Sequence, residues 1–205
     1  GDLWHTIKPK NTGVLGMGIG SVCGLRNADE HITYYEIDPQ IVELARTQFD
    51  YDARCSNTSI ILGDARLELA AQDAQGFDLL VVDTFSSDAI PVHLLTLEAL
   101  KLYKHHLKPG GVIAINISNR YLDLLPVVAA ISREAGLSWR SYYKGARRNE
   151  LQEYAEEGVS HWVMLTSDAA KLNRLDVAKW QRQEVKAVRP WTDDYSNLLG
   201  TLGAD

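Results

Sequence analysis

The chain has 205 residues, 45% hydrophobic and 23% charged, an ordinary composition for one globular domain with a sizeable core. Its net charge of −6 argues against nucleic acid as a partner, because phosphate backbones are bound through basic patches, whereas an acidic surface concentrates cationic ligands. No apolar run approaches the roughly 18 residues that span a bilayer, and residues 1–10 are too polar for a signal peptide.

Strand and helix signals alternate with short glycine-bearing joints, the pattern of a parallel sheet wrapped in helices. Residues 12–15 read as a first strand running into Gly16-Met17-Gly18-Ile19-Gly20, and residues 32–37 as a second, ending at Glu36-Ile37-Asp38-Pro39. In the helix that follows, Ile41, Leu44, Ala45 and Phe49 are expected on one face. Residues 59–62 form a third strand before Gly63-Asp64-Ala65-Arg66, and residues 77–82 an apolar central strand ending at Asp83. A helix is predicted over 92–106, stopped by Lys108-Pro109-Gly110-Gly111, then a fifth strand over 112–117 and a helix over 122–135. Beyond Gly136 the period becomes alternation, giving strands at 137–143 and 160–165 joined by a long polar loop. The tail reads as a helix around 177–183, followed by Arg189-Pro190-Trp191-Thr192-Asp193-Asp194-Tyr195. The whole chain, 1–205, is expected to be a single domain.

Cys23 and Cys55 form no CxxC pair and read as separate reduced thiols in a cytoplasmic protein. The six histidines fall in no metal-binding pattern, so no metal is expected; His105 and His106 close a helix, where they suit its negative pole.

Chemistry concentrates at the predicted strand ends. Gly16 and Gly18 let backbone approach a ligand, although the spacing is not G-x-G-x-x-G, since Ser21 or Cys23 stands where the last glycine belongs. Glu36, about 20 residues beyond that loop, is placed to grip the two hydroxyls of a ribose. Asp64 can accept from an adenine amino group or cap the next helix, and the Gly63-Asp64-Ala65 turn favours an adenosyl-sulfonium over a dinucleotide. Asp83 and Asp88 put two carboxylates in the loop after the fourth strand; Asp88 also suits an Asx-turn or a helix cap.

Together, Val14-Leu15-Gly16-Met17-Gly18, Tyr35-Glu36-Ile37-Asp38, Gly63-Asp64-Ala65-Arg66 and Asp83-Thr84-Phe85-Ser86-Ser87-Asp88 resemble the spermidine synthase (polyamine aminopropyltransferase) superfamily. The stretches 83–96, 117–121 and 191–197 resemble in particular a bacterial branch fused to multispanning membrane segments. The resemblance implies a Rossmann-like class I S-adenosylmethionine-dependent methyltransferase fold, α/β, with a mostly parallel seven-stranded sheet and helices on both faces. It implies decarboxylated S-adenosylmethionine, or S-adenosylmethionine itself, as co-substrate, with Gly16, Gly18, Glu36, Ile37, Asp64 and Ala65 around it. Asp83 would be the catalytic carboxylate facing a small amine, and Asp88, Asp193, Asp194 and Tyr195 would hold that amine. The implied setting is cytoplasmic, cut from a larger protein tethered to upstream membrane segments, and compatible with a homodimer.

Three departures from the family stand out. Ile19 replaces an aspartate usual in the glycine loop, four residues rather than two separate Asp83 from Asp88, and the family's N-terminal β-hairpin region is expected to be missing. Aminopropyl transfer is therefore one expectation beside three others: methyl transfer, breakdown of the sulfonium without an acceptor, and nucleotide sensing without turnover.

Overall fold

Residues 2–18, 20–27, 29–48, 55–84, 91–119, 121–145, 160–176 and 178–202 are described by the computed structural model. Contacts divide the chain into two compact units, one of residues 1–84 and 101–114, the other of 85–100 and 115–205.

The first unit opens with helix α1 (Asp2–Ile7) and continues with β1 (Asn11–Leu15), a 3₁₀ turn (Ser21–Leu25), β2 (His31–Glu36), α2 (Pro39–Gln48), β3 (Thr58–Leu62), α3 (Ala65–Ala70) and β4 (Phe77–Val82). Strand β5 (Leu107–Asn116) starts in this unit and ends in the second. Here the strand order is β3-β2-β1-β4-β5, and β1 runs parallel to both β2 and β4, as β2 does to β3. The chain thus builds outward from β1 to β3, then returns to lay β4 on the other side of β1. That reversal makes the C-terminal ends of β1 and β4 a topological switch point, where open α/β sheets leave a crevice for ligands.

The central strands are apolar because both faces are covered: Val14, Leu15, Ile32, Leu79, Leu80 and Val82 are fully buried. On α2 the core takes Val42 and Ala45, while Leu44 is exposed and Ile41 half-buried, so the buried stripe is turned by part of a turn from the one expected. Phe49 lies outside the described residues. Cys23 and Cys55 are joined by a disulfide with Cα atoms 5.6 Å apart, which corrects the reading of two separate thiols. Their sequence separation of 32 hides a proximity made by the β2–β3 pairing.

In the second unit a 3₁₀ turn (Val92–Leu94) precedes α4 (Leu97–His105, shared with the first unit), so the helix expected over 92–106 is broken. The break falls at Leu95 and Thr96, and the Thr96 hydroxyl accepts the N–H of Ala99 (3.2 Å), a cap that starts a new helix. The unit continues with α5 (Leu125–Glu134), β6 (Ser138–Lys144), β7 (Ser160–Thr166), α6 (Ala169–Leu172) and β8 (Trp180–Gln181). β6 pairs antiparallel with both β7 and β8, and the end of β5 meets β7 where Ile117 donates to the His161 carbonyl (2.8 Å). The seven expected strands are β1–β7. The helix expected near 177–183 is replaced by β8, whose Trp180 ring packs against Tyr142 at 5.4 Å; a cross-strand aromatic pair outweighs local propensity. Among the described residues no helix is long and apolar enough to cross a membrane.

Two stability experiments follow. Glu30 is buried, and its carboxylate accepts from Trp4 Nε1 (2.7 Å), Asn27 Nδ2 (2.6 Å) and Asn27 N–H (2.9 Å). Burial opposes its ionisation, but those hydrogen bonds together prevail and hold its acidity below the ordinary glutamate range. A depressed carboxylate stabilises the fold above its unfolded pKa of about 4.3, and that contribution is lost as pH falls through the folded value. Denaturant titrations should therefore show a Glu30→Gln protein with a lower midpoint at pH 7 and a shallower decline below pH 4 than wild type. Separately, closing a loop of this length with a disulfide contributes on the order of 2–4 kcal/mol, so reductant should lower Tm; an unchanged Tm would mean the thiols are unpaired in solution.

Candidate functional site

The strand ends of the first unit are laced together by backbone hydrogen bonds. Gly16 N–H donates to the Tyr35 carbonyl, Gly63 N–H to the Glu36 carbonyl and Asp83 N–H to the Leu15 carbonyl, each at 2.9 Å. Gly16 is glycine for two reasons. Its φ is +86°, and a Cβ there would sit 2.3 Å from the Asp83 carbonyl oxygen. The chain leaving β1 therefore lies directly against the chain leaving β4. Gly18 is also left-handed, with φ +53°, but no atom of the described residues stands within 4 Å of where its side chain would be. Open space beside this turn is what a ligand approaching the backbone requires.

Glu36 holds the loop. One carboxylate oxygen accepts the Met17 N–H at 2.8 Å and the other the Asp38 N–H at 3.0 Å, and the residue is 8% exposed. A carboxylate offers about four lone-pair sites. One is taken by Met17 of the glycine loop and one by Asp38 just beyond β2, which leaves acceptor capacity for two further donors. Ile37, the next residue, is 68% exposed, and Leu62, the register partner of Glu36, is 54% exposed. Leu62 was missed in the sequence, where it reads only as the last apolar residue of a strand. Its exposure at the rim is what marks it.

Asp64 caps α3, its Oδ1 accepting from Arg66 N–H (2.9 Å) and Leu67 N–H (3.0 Å), and Ala65 is buried at the start of that helix. Beneath this corner Tyr103 is fully buried, and burial pushes its phenol above the ordinary range; Arg66 opposes the shift and Asp64 adds to it. Tyr35 is likewise pushed up, to about 12, first by burial and then by the charge of Glu68, and donates to Gln72 at 3.0 Å. Both phenols stay protonated at any physiological pH. Asp83 is half-buried at the end of β4, beside Gly16, and Asp88 lies outside the described residues.

The remaining predicted positions belong to the second unit. Asp193 accepts from the Thr96 hydroxyl (2.8 Å), its N–H donates to Glu98 (3.0 Å), and the neighbouring Trp191 carbonyl accepts from Leu97 (2.9 Å). This stretch clips the tail to the start of α4, a role invisible from local sequence because nearly a hundred residues intervene. Asp194 is exposed, and Tyr195 carries the Arg189 guanidinium 3.9 Å over its ring. At the end of β5, Asn116 Oδ1 accepts both the N–H (2.9 Å) and the hydroxyl (2.5 Å) of Ser118, and Asn119 accepts from Tyr121 and Leu122. In the second unit a cavity of about 460 Å³ is edged by Arg133, Trp139 and Arg182, near the end of the β6–β7 pairing where Ser138 meets Thr166. No group of histidine, cysteine, aspartate and glutamate that could hold a metal occurs among the described residues.

No family model matches the chain. It is 33% identical over 114 residues to the polyamine aminopropyltransferase of Vibrio vulnificus (strain CMCP6), covering 53% of this chain and 38% of that one. It is also 33% identical over 110 residues to a probable polyamine aminopropyl transferase of Bifidobacterium longum (strain NCC 2705), covering 51% and 23%. A spermidine synthase solved with the transition-state analogue AdoDATO superposes with a TM-score of 0.61 at 18% identity, over 88% of this chain and 63% of that one. Over about half of its length the chain is thus similar to polyamine aminopropyltransferases. The fold is that of S-adenosylmethionine-dependent methyltransferases: the O-methyltransferase TomG from Streptomyces achromogenes, solved with SAM, superposes at a TM-score of 0.54 and 15% identity over 80% of this chain and 75% of that one. The chain thus spans well under half the length of these two aminopropyltransferase relatives.

Glu36→Gln should separate ribose binding from fold. Glutamine keeps one carbonyl acceptor but turns an NH₂ toward a backbone N–H, and charge-assisted bonds of this kind contribute about 1.5–3 kcal/mol. Calorimetry should show affinity for methylthioadenosine reduced about tenfold to a hundredfold, with the far-ultraviolet spectrum unchanged. Equal affinity would make Glu36 a brace for the loop alone.

Proposed function

We propose that this chain transfers an aminopropyl group from decarboxylated S-adenosylmethionine to a small amine, releasing methylthioadenosine. The observation that carries the reading is the juxtaposition of Gly16 and Asp83 at the switch point, with Glu36 fixing the glycine loop from the neighbouring strand. In this reading Glu36 takes the ribose hydroxyls, Asp64 and Ala65 the adenine, with Ile37 against its face. The backbone at Gly16 and Gly18 makes room for the sulfur-bearing chain.

A carbon beside a sulfonium is already activated, so the protein supplies position and a proton acceptor rather than acid chemistry. A primary amine, with a pKa near lysine's of about 10.4, arrives mostly protonated. Asp83 draws the ammonium in and accepts its proton. The freed lone pair then forms the N–C bond while the C–S bond breaks and its electrons return to sulfur as a neutral thioether. The proton passes from Asp83 to water. The chain's net charge of −6 favours the approach of such a cation.

Methyl transfer from intact S-adenosylmethionine is the second reading. It is favoured by 36% identity over 111 residues to the N-terminal histidine N-methyltransferase of Emericella nidulans, covering 52% of this chain and 19% of that one. Mass spectrometry of products from both sulfonium compounds, with and without putrescine, distinguishes the two. Methylthioadenosine formed only with an amine supports aminopropyl transfer; S-adenosylhomocysteine with a methylated acceptor replaces it; methylthioadenosine without any acceptor indicates sulfonium breakdown.

Asp83→Asn keeps size but cannot take a proton, and loss of a general base typically lowers rates by about 10²–10⁴. The variant should lose turnover to that extent while binding methylthioadenosine as wild type does. Wild-type turnover would place amine activation elsewhere, and lost binding would move Asp83 into the cofactor pocket.

A further inference from the structure

We propose that the Cys23–Cys55 bond is a redox switch for the glycine turn: oxidised, it holds the turn in the shape that takes the nucleotide, and reduction by a dithiol releases it. This regulation deepens the nucleotide site proposed above and rests on that reading for the identity of the ligand.

Both anchors of the turn lie in the first unit. At one end the Glu36 carboxylate accepts the Met17 N–H at 2.8 Å. From there the bonds run on along the chain: Gly20 N–H donates to the Met17 carbonyl (2.9 Å), and Cys23 N–H to the Gly20 carbonyl (3.1 Å). Cys23 is in turn joined to Cys55, at the entrance to β3. Gly20, left-handed at φ +75°, is the joint of this series. Its carbonyl also accepts from the Tyr34 hydroxyl at 3.4 Å, and Cys55 Sγ lies 4.0 Å from that oxygen. The disulfide therefore closes the far end of the turn as Glu36 closes the near one. Glycines at 16, 18 and 20 leave this stretch with the most backbone freedom to regain when an anchor goes.

Reduction changes that end and little else. The sequence has two cysteines, so thiol chemistry in this chain acts here. A thiolate of the dithiol attacks one sulfur, the S–S bond breaks, and the other cysteine leaves as a thiolate and takes up a proton. The reductant's second thiol then displaces the first cysteine, leaving two thiols in the protein and a disulfide in the reductant. The covalent link becomes at most one weak S–H···O contact from Cys55 to the Gly20 carbonyl. The bond is also placed for exchange. Cys23 and Cys55 are buried, but their neighbours Gly24 and Ser56 are exposed, and no atom of the described residues stands within 4 Å of where a Gly24 side chain would be. Arg26 donates to the Ser56 carbonyl and, at 3.1 Å, to the Ser56 hydroxyl, so the two segments stay adjacent once the sulfurs part. The change is thus local and reversible rather than an unfolding.

The probe is methylthioadenosine, with the full chain compared oxidised, in dithiothreitol, and reoxidised. Thiol titration of the unfolded protein should find no thiol in the first state, two in the second and none in the third. In the amide nuclear magnetic resonance spectrum, reduction should move or broaden the signals of Gly20, Cys23 and Cys55 and leave those of β4 in place; reoxidation should restore them. Calorimetry should show the reduced protein binding methylthioadenosine about tenfold more weakly, because a freed turn must be ordered again on binding. The Cys23→Ser/Cys55→Ser protein should match the reduced form and ignore dithiothreitol. Two free thiols in the air-oxidised protein overturn the proposal. So do equal affinities in the two redox states, or turn amides indifferent to reduction, either of which would make the bond a brace for stability alone. If neither state binds methylthioadenosine, the nucleotide reading fails by itself, and the amide comparison alone decides whether the bond governs the turn.

Discussion

The strand ends of the first unit depend on one buried carboxylate. Glu36 stands at the tip of β2 and accepts the Met17 N–H across the gap to the turn after β1. Without that bond the glycines at 16, 18 and 20, all left-handed, would leave the turn with many accessible shapes, since glycine carries the largest backbone entropy to lose. With it, the turn is fixed by its second residue, and Gly16 is pressed against the carbonyl of Asp83. One interaction therefore sets three positions at once: the open side of the loop, the remaining lone pairs of Glu36, and the distance between β1 and the carboxylate that follows β4.

Much of this half was legible in the sequence because its signals are local. Strand β4 coincides with the apolar run 77–82, and Gly16, Glu36, Asp64 and Asp83 each sit at a strand's end where hydrophobic periodicity stops. The bracing role of Glu36 was not legible, because a carboxylate that would grip a ribose and one that braces a loop leave the same letter at the same spacing. The Cys23–Cys55 bond was hidden likewise, since nothing within either neighbourhood announces the other.

The second unit was read less well, for a related reason. Its decisive contacts join residues far apart in the chain. The predicted helix 92–106 breaks at Thr96 because that hydroxyl caps α4 and donates to Asp193. Residues near Trp180 leave the helical pattern because β6 offers them a partner strand and an aromatic neighbour. Asp193, expected to hold an amine, has a carboxylate engaged by Thr96, while its N–H is taken by Glu98.

That engagement bears on where a cationic acceptor would be recognised. Of the tail positions expected to hold it, Tyr195 has one ring face covered by the Arg189 guanidinium, which repels an ammonium approaching from that side. Asp194 remains exposed, and an exposed carboxylate attracts cations through screened solvent without fixing their orientation. Orientation needs a buried, unsatisfied polar atom held on a rigid element, because only such an atom gains a strong bond without first giving one up. Among the described residues of the second unit, His161 Nε2 is a buried side-chain atom without a hydrogen-bond partner, on a strand whose backbone is pinned on both sides by β5 and β6. The clasp at Asp193 is therefore structural, its carboxylate and its N–H both engaged at the start of α4.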